Sequence, residues 1–325
     1  MQMEITIAEF KEQYFPLLQE QYHASLQRSI TENRDQIITK LYQQAEGFLL
    51  FTNRFQKQIP IEIGEVQISL LQTSVQLHKP QIAFCAYDEA GVLGREIFNI
   101  KYDAMWLFEG WEAYRESIRE KVRELHAENY IREAAIQQMM WESMDFTIYC
   151  LYGITKYLFQ EFFRIKGYDE LLCTNHFRLS VGGYRDWSRT LYRKREKIDI
   201  FFKEEQEMLQ YCRFENAVYN RKKFEKMDMS HTFFVDCEFV HSDFKEVIWR
   251  DAIFENCRFY HCNFEKTDFC GSTFRNVTMK KDTFKESVWE FQPDMEHPET
   301  IEDLYKPVEW EQCVKEELVF EEGDA

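Results

Sequence analysis

From Phe214 onward a large apolar residue stands at every fifth position. The series runs Phe214, Tyr219, Phe224, Met229, Phe234, Phe239, Phe244 and Trp249. It continues through Phe254, Phe259, Phe264, Phe269, Phe274, Met279, Phe284 and Trp289. Two residues before each lies a second series of mostly small side chains, from Cys212, Ala217 and Lys222 to Val277, Asp282 and Ser287. A period of five fits neither the 3.6 of a helix nor the 2 of a strand. It fits a chain that turns a corner every five residues, with the centre of each face and the residue two before it pointing inward.

These two interleaved series resemble the pentapeptide-repeat family. The resemblance implies a right-handed quadrilateral β-helix with four pentads per coil, hence about four coils over this segment. Folding the series by four stacks Phe214, Phe234, Phe254 and Phe274 on one face, and Phe224, Phe244, Phe264 and Phe284 on another. Tyr219, Phe239, Phe259 and Met279 form a third stack, and Met229, Trp249, Phe269 and Trp289 the fourth. At about 4.8 Å per parallel rung, four coils make a rod roughly 19 Å long. Each buried ring stabilises it by about 1.5–3 kcal/mol before the cost of ordering the chain. Lys222 and Asp282 break the small-residue series, and both are expected in end coils, where an inward slot opens to solvent. Cys212, Cys237, Cys257 and Cys262 occupy small slots and are expected as compact core filler rather than metal ligands. Cys270 follows a central Phe and is expected to point outward as a free thiol.

The first two-thirds of the chain carry ordinary periodicities. Thr6 and Glu9 make a capping box for a first helix bearing Phe10, Tyr14, Leu17 and Leu18, with Pro16 expected to kink or shorten it. Ile37, Ile38, Leu41, Tyr42, Ala45, Phe48 and Leu49 keep helical spacing. Between Ile59 and Phe108 the period shortens, with Val66, Ile68 and Leu70 alternating and Ile82 to Tyr87 following a turn at His78-Lys79-Pro80. Helical spacing returns with Trp111, Tyr114, Ile118, Val122 and Leu125, runs to about Lys166, and resumes from Asp186 to Met208 after a turn at Gly182-Gly183. The expected organisation is an α+β domain over 1–205, helices around a small antiparallel sheet. The β-helix spans 206–291, and a C-terminal cap and acidic tail 292–325. A solenoid end exposes backbone and rings. The segment Arg185 to Met208 is placed to cap the first coil and Phe291 to Trp310 the last, with a solvated tail from Glu316.

Charge sharpens this picture. The formal net charge is −17, of which −10 lies in 291–325, while 212–290 holds 14 acids against 13 bases. An acidic chain repels nucleic-acid phosphate, so nucleic acid is not an expected partner. The longest apolar stretch, Phe146 to Phe163, is interrupted by Lys156, Gln160 and Glu161 and reads as a buried helix rather than a membrane span. With nine unpatterned cysteines and no visible signal peptide, a reduced cytoplasmic protein is the expectation.

No catalytic signature stands out. Gly182-Gly183 is followed by Tyr184 rather than a phosphate-loop lysine, and no GxSxG, HExxH or CxxC occurs. His23, His78, His126 and His176 have no partner at ligand spacing. Arg193 to Lys197 suits a solvated helix face better than a phosphate site. Trp106, Phe108 and Trp111 could line a groove but fit a core better. No cofactor or metal is expected, and the chain reads as a non-enzymatic scaffold whose partner is another protein or a second copy. Two alternatives remain. Some members of the family that the repeats resemble imitate B-form DNA and protect type II topoisomerases, though this repeat segment is nearly neutral. An enzyme or ligand site could instead reside in the N-terminal domain.

Overall fold

The computed structural model of the chain describes residues 5–194, 201, 209–290 and 307–321. It divides into two units, one of Met1–Thr174 with Leu179–Leu191, the other of Asn175–Arg178 with Tyr192–Ala325.

The first unit opens with α1 (Ile7–Gln13), whose Thr6–Glu9 capping box is fully formed. The helix stops at Tyr14, and α2 (Phe15–Glu32) restarts with Pro16 in its first turn, where a missing N–H costs nothing. The long α3 (Arg34–Gln58) follows, then β1 (Ile63–Leu70), the short α4 (Gln72–Gln76), β2 (Gln81–Tyr87) and β3 (Glu96–Asp103). Helices α5 (Trp111–Glu124), α6 (Glu133–Glu142) and α7 (Met144–Leu158) precede β4 (Cys173–Gly183) and β5 (Ser188–Arg193). The sheet order is β3-β2-β1-β4-β5, with β1–β2 and β2–β3 antiparallel. All eight residues of β1 are buried, so the sheet is covered on both faces at its centre. On the helical side Phe48 of α3 packs on Phe84 of β2 at 5.5 Å and on Phe98 of β3 at 5.7 Å.

The helix expected from Asp186 to Met208 is corrected over its first half. Residues 188–193 are the strand β5, because the two glycines make a hairpin turn. A Cβ on Gly182 would meet the Trp187 carbonyl oxygen at 2.1 Å, the Gly183 N–H donates to that same oxygen (3.2 Å), and Arg185 takes a left-handed φ of 54°. Most of the expected first cap lies outside the described residues. Phe201, which is described, packs over Tyr219 and Phe224 at 6.1 and 5.2 Å.

The second unit consists of short strands that come in pairs five residues apart, the pairs recurring every 20 residues. One face stacks β6 (Arg213–Glu215), β8 (Phe233–Val235), β10 (Ile253–Glu255) and β12 (Thr273–Arg275). The next stacks β7 (Val218–Asn220), β9 (Glu238–Val240), β11 (Arg258–Tyr260) and β13 (Thr278–Lys280). Pairing is parallel with a register of 20 residues, Phe214 on Phe234 on Phe254 on Phe274. The two other faces are held by isolated parallel bridges such as Asp243–Asn263 and Ile248–Asp268, plus β14 (Thr283–Lys285). The central rings point inward and stack, Phe239–Phe259 at 4.7 Å and Phe224–Phe244 at 4.6 Å among them. Phe214 is 7% exposed and every later central Phe through Phe274 is fully buried.

Every corner is made the same way. The residue two after each centre takes a left-handed φ, from Asn216 (53°) and Arg221 (51°) through Asn256 (54°) and His261 (53°) to Glu286 (54°), with Gly271 (71°) in the same slot. Asn, Asp and His tolerate this region better than most side chains. That places Asn216, Asp236, Asn256 and Asn276 along one corner, and puts His231, His241 and His261 at corners rather than at a ligand site.

Two end-coil expectations are corrected. Beyond Glu290 the described chain resumes at 307 and adds three further strands. There β15 (Glu309–Glu311) pairs with β12, β16 (Val314–Glu316) with β13 and β17 (Val319–Glu321) with β14. Trp310 sits on Phe274 at 4.3 Å and Phe320 on Phe284 at 5.1 Å. The partner spacing there is 36 residues rather than 20, an insertion of 16. The first two faces therefore hold five strands each, not four, and the described part of the tail expected from Glu316 carries strand while most of its residues stay exposed. Residues 291–306 of the expected last cap lie outside the described residues.

The added strands bury Asp282, which is fully inaccessible instead of opening to solvent. Its slot has a defined chemistry. Ser242, Cys262, Thr267 and Ser272, all in equivalent positions, donate to the carbonyl 23 residues earlier, those of Tyr219, Phe239, Phe244 and Trp249. A carboxylate cannot donate. Asp282 Oδ1 accepts the Cys262 N–H at 2.6 Å, while Oδ2 has no partner. Burial, opposed by hydrogen bonds from the Cys262 and Lys280 backbone, raises its pKa to about 7. Protonation is therefore favoured by folding. The group's stabilising share is complete below the unfolded carboxylate pKa near 3.8 and is lost as pH rises through about 7.

Two stability measurements follow from this core. Phe254→Ala is expected to lower unfolding stability by about 3–5 kcal/mol, read as the denaturant midpoint at constant m. Asp282→Ser restores a donor to the slot. It should raise the midpoint at pH 8 and change it little at pH 4; an equal gain at both would contradict the titration.

Candidate functional site

With the interior filled, what the repeats offer is their outside, and in-register stacking sets each residue on the one 20 positions away. Like charges would then face one another at about 4.8 Å and repel. At the third face and the corner after it the sequence avoids this by alternating sign up the column. On the third face the outward residues run Glu225, Lys245, Glu265 and Lys285, with Lys245 Nζ 2.8 Å from Glu265. At the corner after it Lys226 pairs with Glu246 (3.7 Å) and Lys266 with Glu286 (3.4 Å). On the first face Arg275 lies 3.8 Å from Glu255 and 3.6 Å from Glu311. Lys280 meets Glu316 at 2.7 Å and Lys281 meets Glu317 at 3.7 Å, so part of the acidity of the last residues is spent on lysines of the preceding coil. Neutral columns do the same with amides: Asn276 donates to Asn256 Oδ1 (2.9 Å), and Asn256 to Asp236 Oδ1 (3.0 Å).

Exposure divides this surface. On the first face the outward residues Phe233, Ile253 and Thr273 are 3%, 2% and 1% exposed. Cys270 beside them is 7% exposed, which corrects the expected outward thiol, and burial next to Asp268 pushes its thiol up to about 12. The second face and its corner remain open, with Asn256, Arg258 and the stacked pair His241–His261 (4.8 Å) exposed and Val240 and Tyr260 half-exposed.

The repeat cysteines lie where the small-residue series puts them. Cys212, Cys237, Cys257 and Cys262 are buried, and the Cys257 and Cys262 thiols donate to the Phe234 and Phe239 carbonyls at 3.3 and 3.5 Å. Burial holds the Cys257 thiol protonated and pushes Cys262 up to about 12, so neither is a ready thiolate. Among the described residues no group of three or more His, Cys, Asp or Glu side chains could hold a metal ion.

In the first unit the space between sheet and helices is aromatic. Phe108 and Trp111 are buried, with Trp111 edge-on to Tyr22 at 5.4 Å, so they are core rather than groove. The other side of the sheet carries a buried polar row that sequence reasoning missed: Glu65, Gln67, Ser69 and Ser180. It is consumed internally. Ser180 and the Val92 N–H donate to the Glu65 carboxylate, Ser69 to Gln67, and Gln67 to the Gly183 carbonyl. Strict alternation within β1 was the available signal, since Glu65, Gln67 and Ser69 interleave with Val66, Ile68 and Leu70.

The model of pentapeptide repeats matches residues 237–276 with eight copies, so this stretch is a pentapeptide-repeat segment. No curated protein matches the chain. Among solved structures, a pentapeptide repeat protein, Rfr23, from the cyanobacterium Cyanothece 51142 is similar at 10% identity and a TM-score of 0.17, over 36% of this chain and 95% of that one. A trypsin-treated variant of QnrB1, a plasmid-mediated fluoroquinolone resistance protein, is similar at 13% identity and a TM-score of 0.12, over 23% of this chain and 59% of that one. A second trypsin-treated QnrB1 variant gives 13% and 0.12, over 34% and 69%.

The charge ladder predicts that Glu265→Lys, which sets three lysines in one column, lowers the unfolding midpoint in low salt by less than Phe254→Ala does. The loss should shrink in 1 M salt, because exposed pairs are screened at a Debye length of about 3 Å.

Proposed function

Starting from the pentapeptide repeats at 237–276, we propose that this chain is a non-enzymatic protein-interaction scaffold. Its binding element is a right-handed quadrilateral β-helix of five coils, and it acts in a reducing, cytoplasmic setting. The observation that carries this reading is the ladder of cross-rung pairs on the outside of the repeats, with charge alternating up the two columns of the third face and its corner and amides bonding up another. Side chains held by a rung above and below lose little freedom on docking, so the surface is preorganised for one protein partner. The open second face, with Asn256, Arg258, His241, His261 and Tyr260, is the part of that surface we assign to the partner.

The same alternation weighs against the topoisomerase-protecting alternative. A DNA-like rod needs uncompensated negative charge along its length, and here lysines and arginines answer the acids rung by rung. It weighs less on an enzyme in the first unit. There the filled helix side of the sheet and the self-satisfied row at Glu65 favour a structural role. No described helix is long and apolar enough to cross a membrane, which is consistent with a protein partner met in solution.

The test is quantitative affinity capture from the source cell with the tagged full chain and with Arg258→Glu/His261→Glu, two exposed sites. Proteins enriched by the first and lost from the second support the reading. Identical recovery by both, or no enrichment over a charge-matched control, would sink it. A gyrase supercoiling assay should show no protection at micromolar protein; protection would revive the alternative.

A further inference from the structure

Strand β3 is an edge of the five-stranded sheet, and among the described residues it pairs with β2 alone. The Ala104 N–H donates to the Pro80 carbonyl at 2.9 Å, which fixes the parity of the ladder. Even-numbered residues of β3 spend their backbone groups on β2, so those of Asn99, Lys101 and Asp103 face outward, and all three residues are exposed. Beside this edge Phe98, Ile100 and Tyr102 are only half-buried. Phe51 and Phe55 of α3 reach Phe98 at 5.3 and 5.0 Å, with Phe51 still 46% exposed. An open strand edge beside half-exposed rings is a template for strand addition.

We propose that β3 pairs antiparallel with β3 of a second copy of this chain, about a two-fold axis at Ile100. Three constraints select both the occupant and the register. Hydrogen-bonded pairs must join odd residues to odd residues, which leaves registers centred on Asn99, Ile100 or Lys101. Centring on Lys101 sets two lysines face to face, which is repulsive. Centring on Asn99 runs the pairing into the bulge opposite Ala86 and Tyr87. The Ile100 register uses only regular strand. It pairs Phe98 with Tyr102 of the other copy and Ile100 with Ile100, and it sets Lys101 opposite Asn99. Asn99 holds Glu96 Oε1 at 2.6 Å, so Lys101, which makes no ion pair among the described residues, gains an acid of the other copy. Self-complementarity of shape and charge about one axis is what a two-fold interface requires. A different strand donor would have no reason to match both the rings and the lysine. The lysine thus bars arbitrary strands while admitting this one.

The experiment measures the mass of the full chain by sedimentation, together with oxidative cross-linking of single-cysteine additions. Opposed residues of a non-hydrogen-bonded pair lie about 4.5 Å apart at Cα, within disulfide reach. Ile100→Cys should therefore form a covalent dimer, whereas Asn99→Cys and the unaltered chain should not. Lys101→Glu, an exposed change that leaves the fold alone, should weaken the dimer at least tenfold in low salt. A monomer at about 100 µM, a concentration that would populate any interface tighter than roughly 5 kcal/mol, overturns the proposal. So does a dimer that neither cross-links through Ile100→Cys nor responds to Lys101→Glu. None of these readouts involves the repeat surface, so failure here leaves the scaffold reading standing.

Discussion

The structure of the second unit depends on one constraint, the backbone pairing that sets each residue on the residue 20 positions later. The N–H of Phe233 bonds to the carbonyl of Cys212, and that of Ile253 to the carbonyl of Thr232, each at 2.9 Å. A ladder that strict leaves no freedom in what stacks on what. Rings fall on rings and become a core. Amides fall on amides and bond. Where charges fall on charges at the third face, their signs alternate. Interior, corners and surface are three answers to the same geometric demand.

Much of this was legible because the demand leaves a periodic trace. The inward series from Phe214 to Trp289 marks the repeat, and the four stacks follow from dividing by four. The trace breaks after Trp289. Trp310, Lys315 and Phe320, preceded two residues earlier by Val308, Cys313 and Leu318, resume the pattern one residue out of phase. Three pentads with a lysine at one centre are too faint to read after a gap of 16, and so the last strands passed for a tail. Lys315 is tolerated because its ammonium lies over the Trp310 ring, 3.2 Å from the centroid.

Elsewhere the misreadings have local causes. Residues 186–208 carry a helical hydrophobic spacing that the Gly182-Gly183 hairpin overrides for Ser188–Arg193. Phase alone sends Cys270 outward, yet phase says nothing about what lies over a face. The shared property of His231, His241 and His261, tolerance of a left-handed corner, shows only once the corner is known. In the first unit the alternation of β1 separates two faces but does not show that the polar one is buried and bonds to itself.

The jump in partner spacing from 20 to 36 residues also bears on how such a rod can change. The coils on either side meet through the same bonds as any other pair, so the cost to the ladder of residues inserted at this point is that of closure, which grows as the logarithm of their number. Doubling it costs about 0.6 kcal/mol, less than a single buried methylene. That corner is therefore a natural graft point. Length and composition there can drift, or be replaced by design, while the ladder above and below keeps its phase.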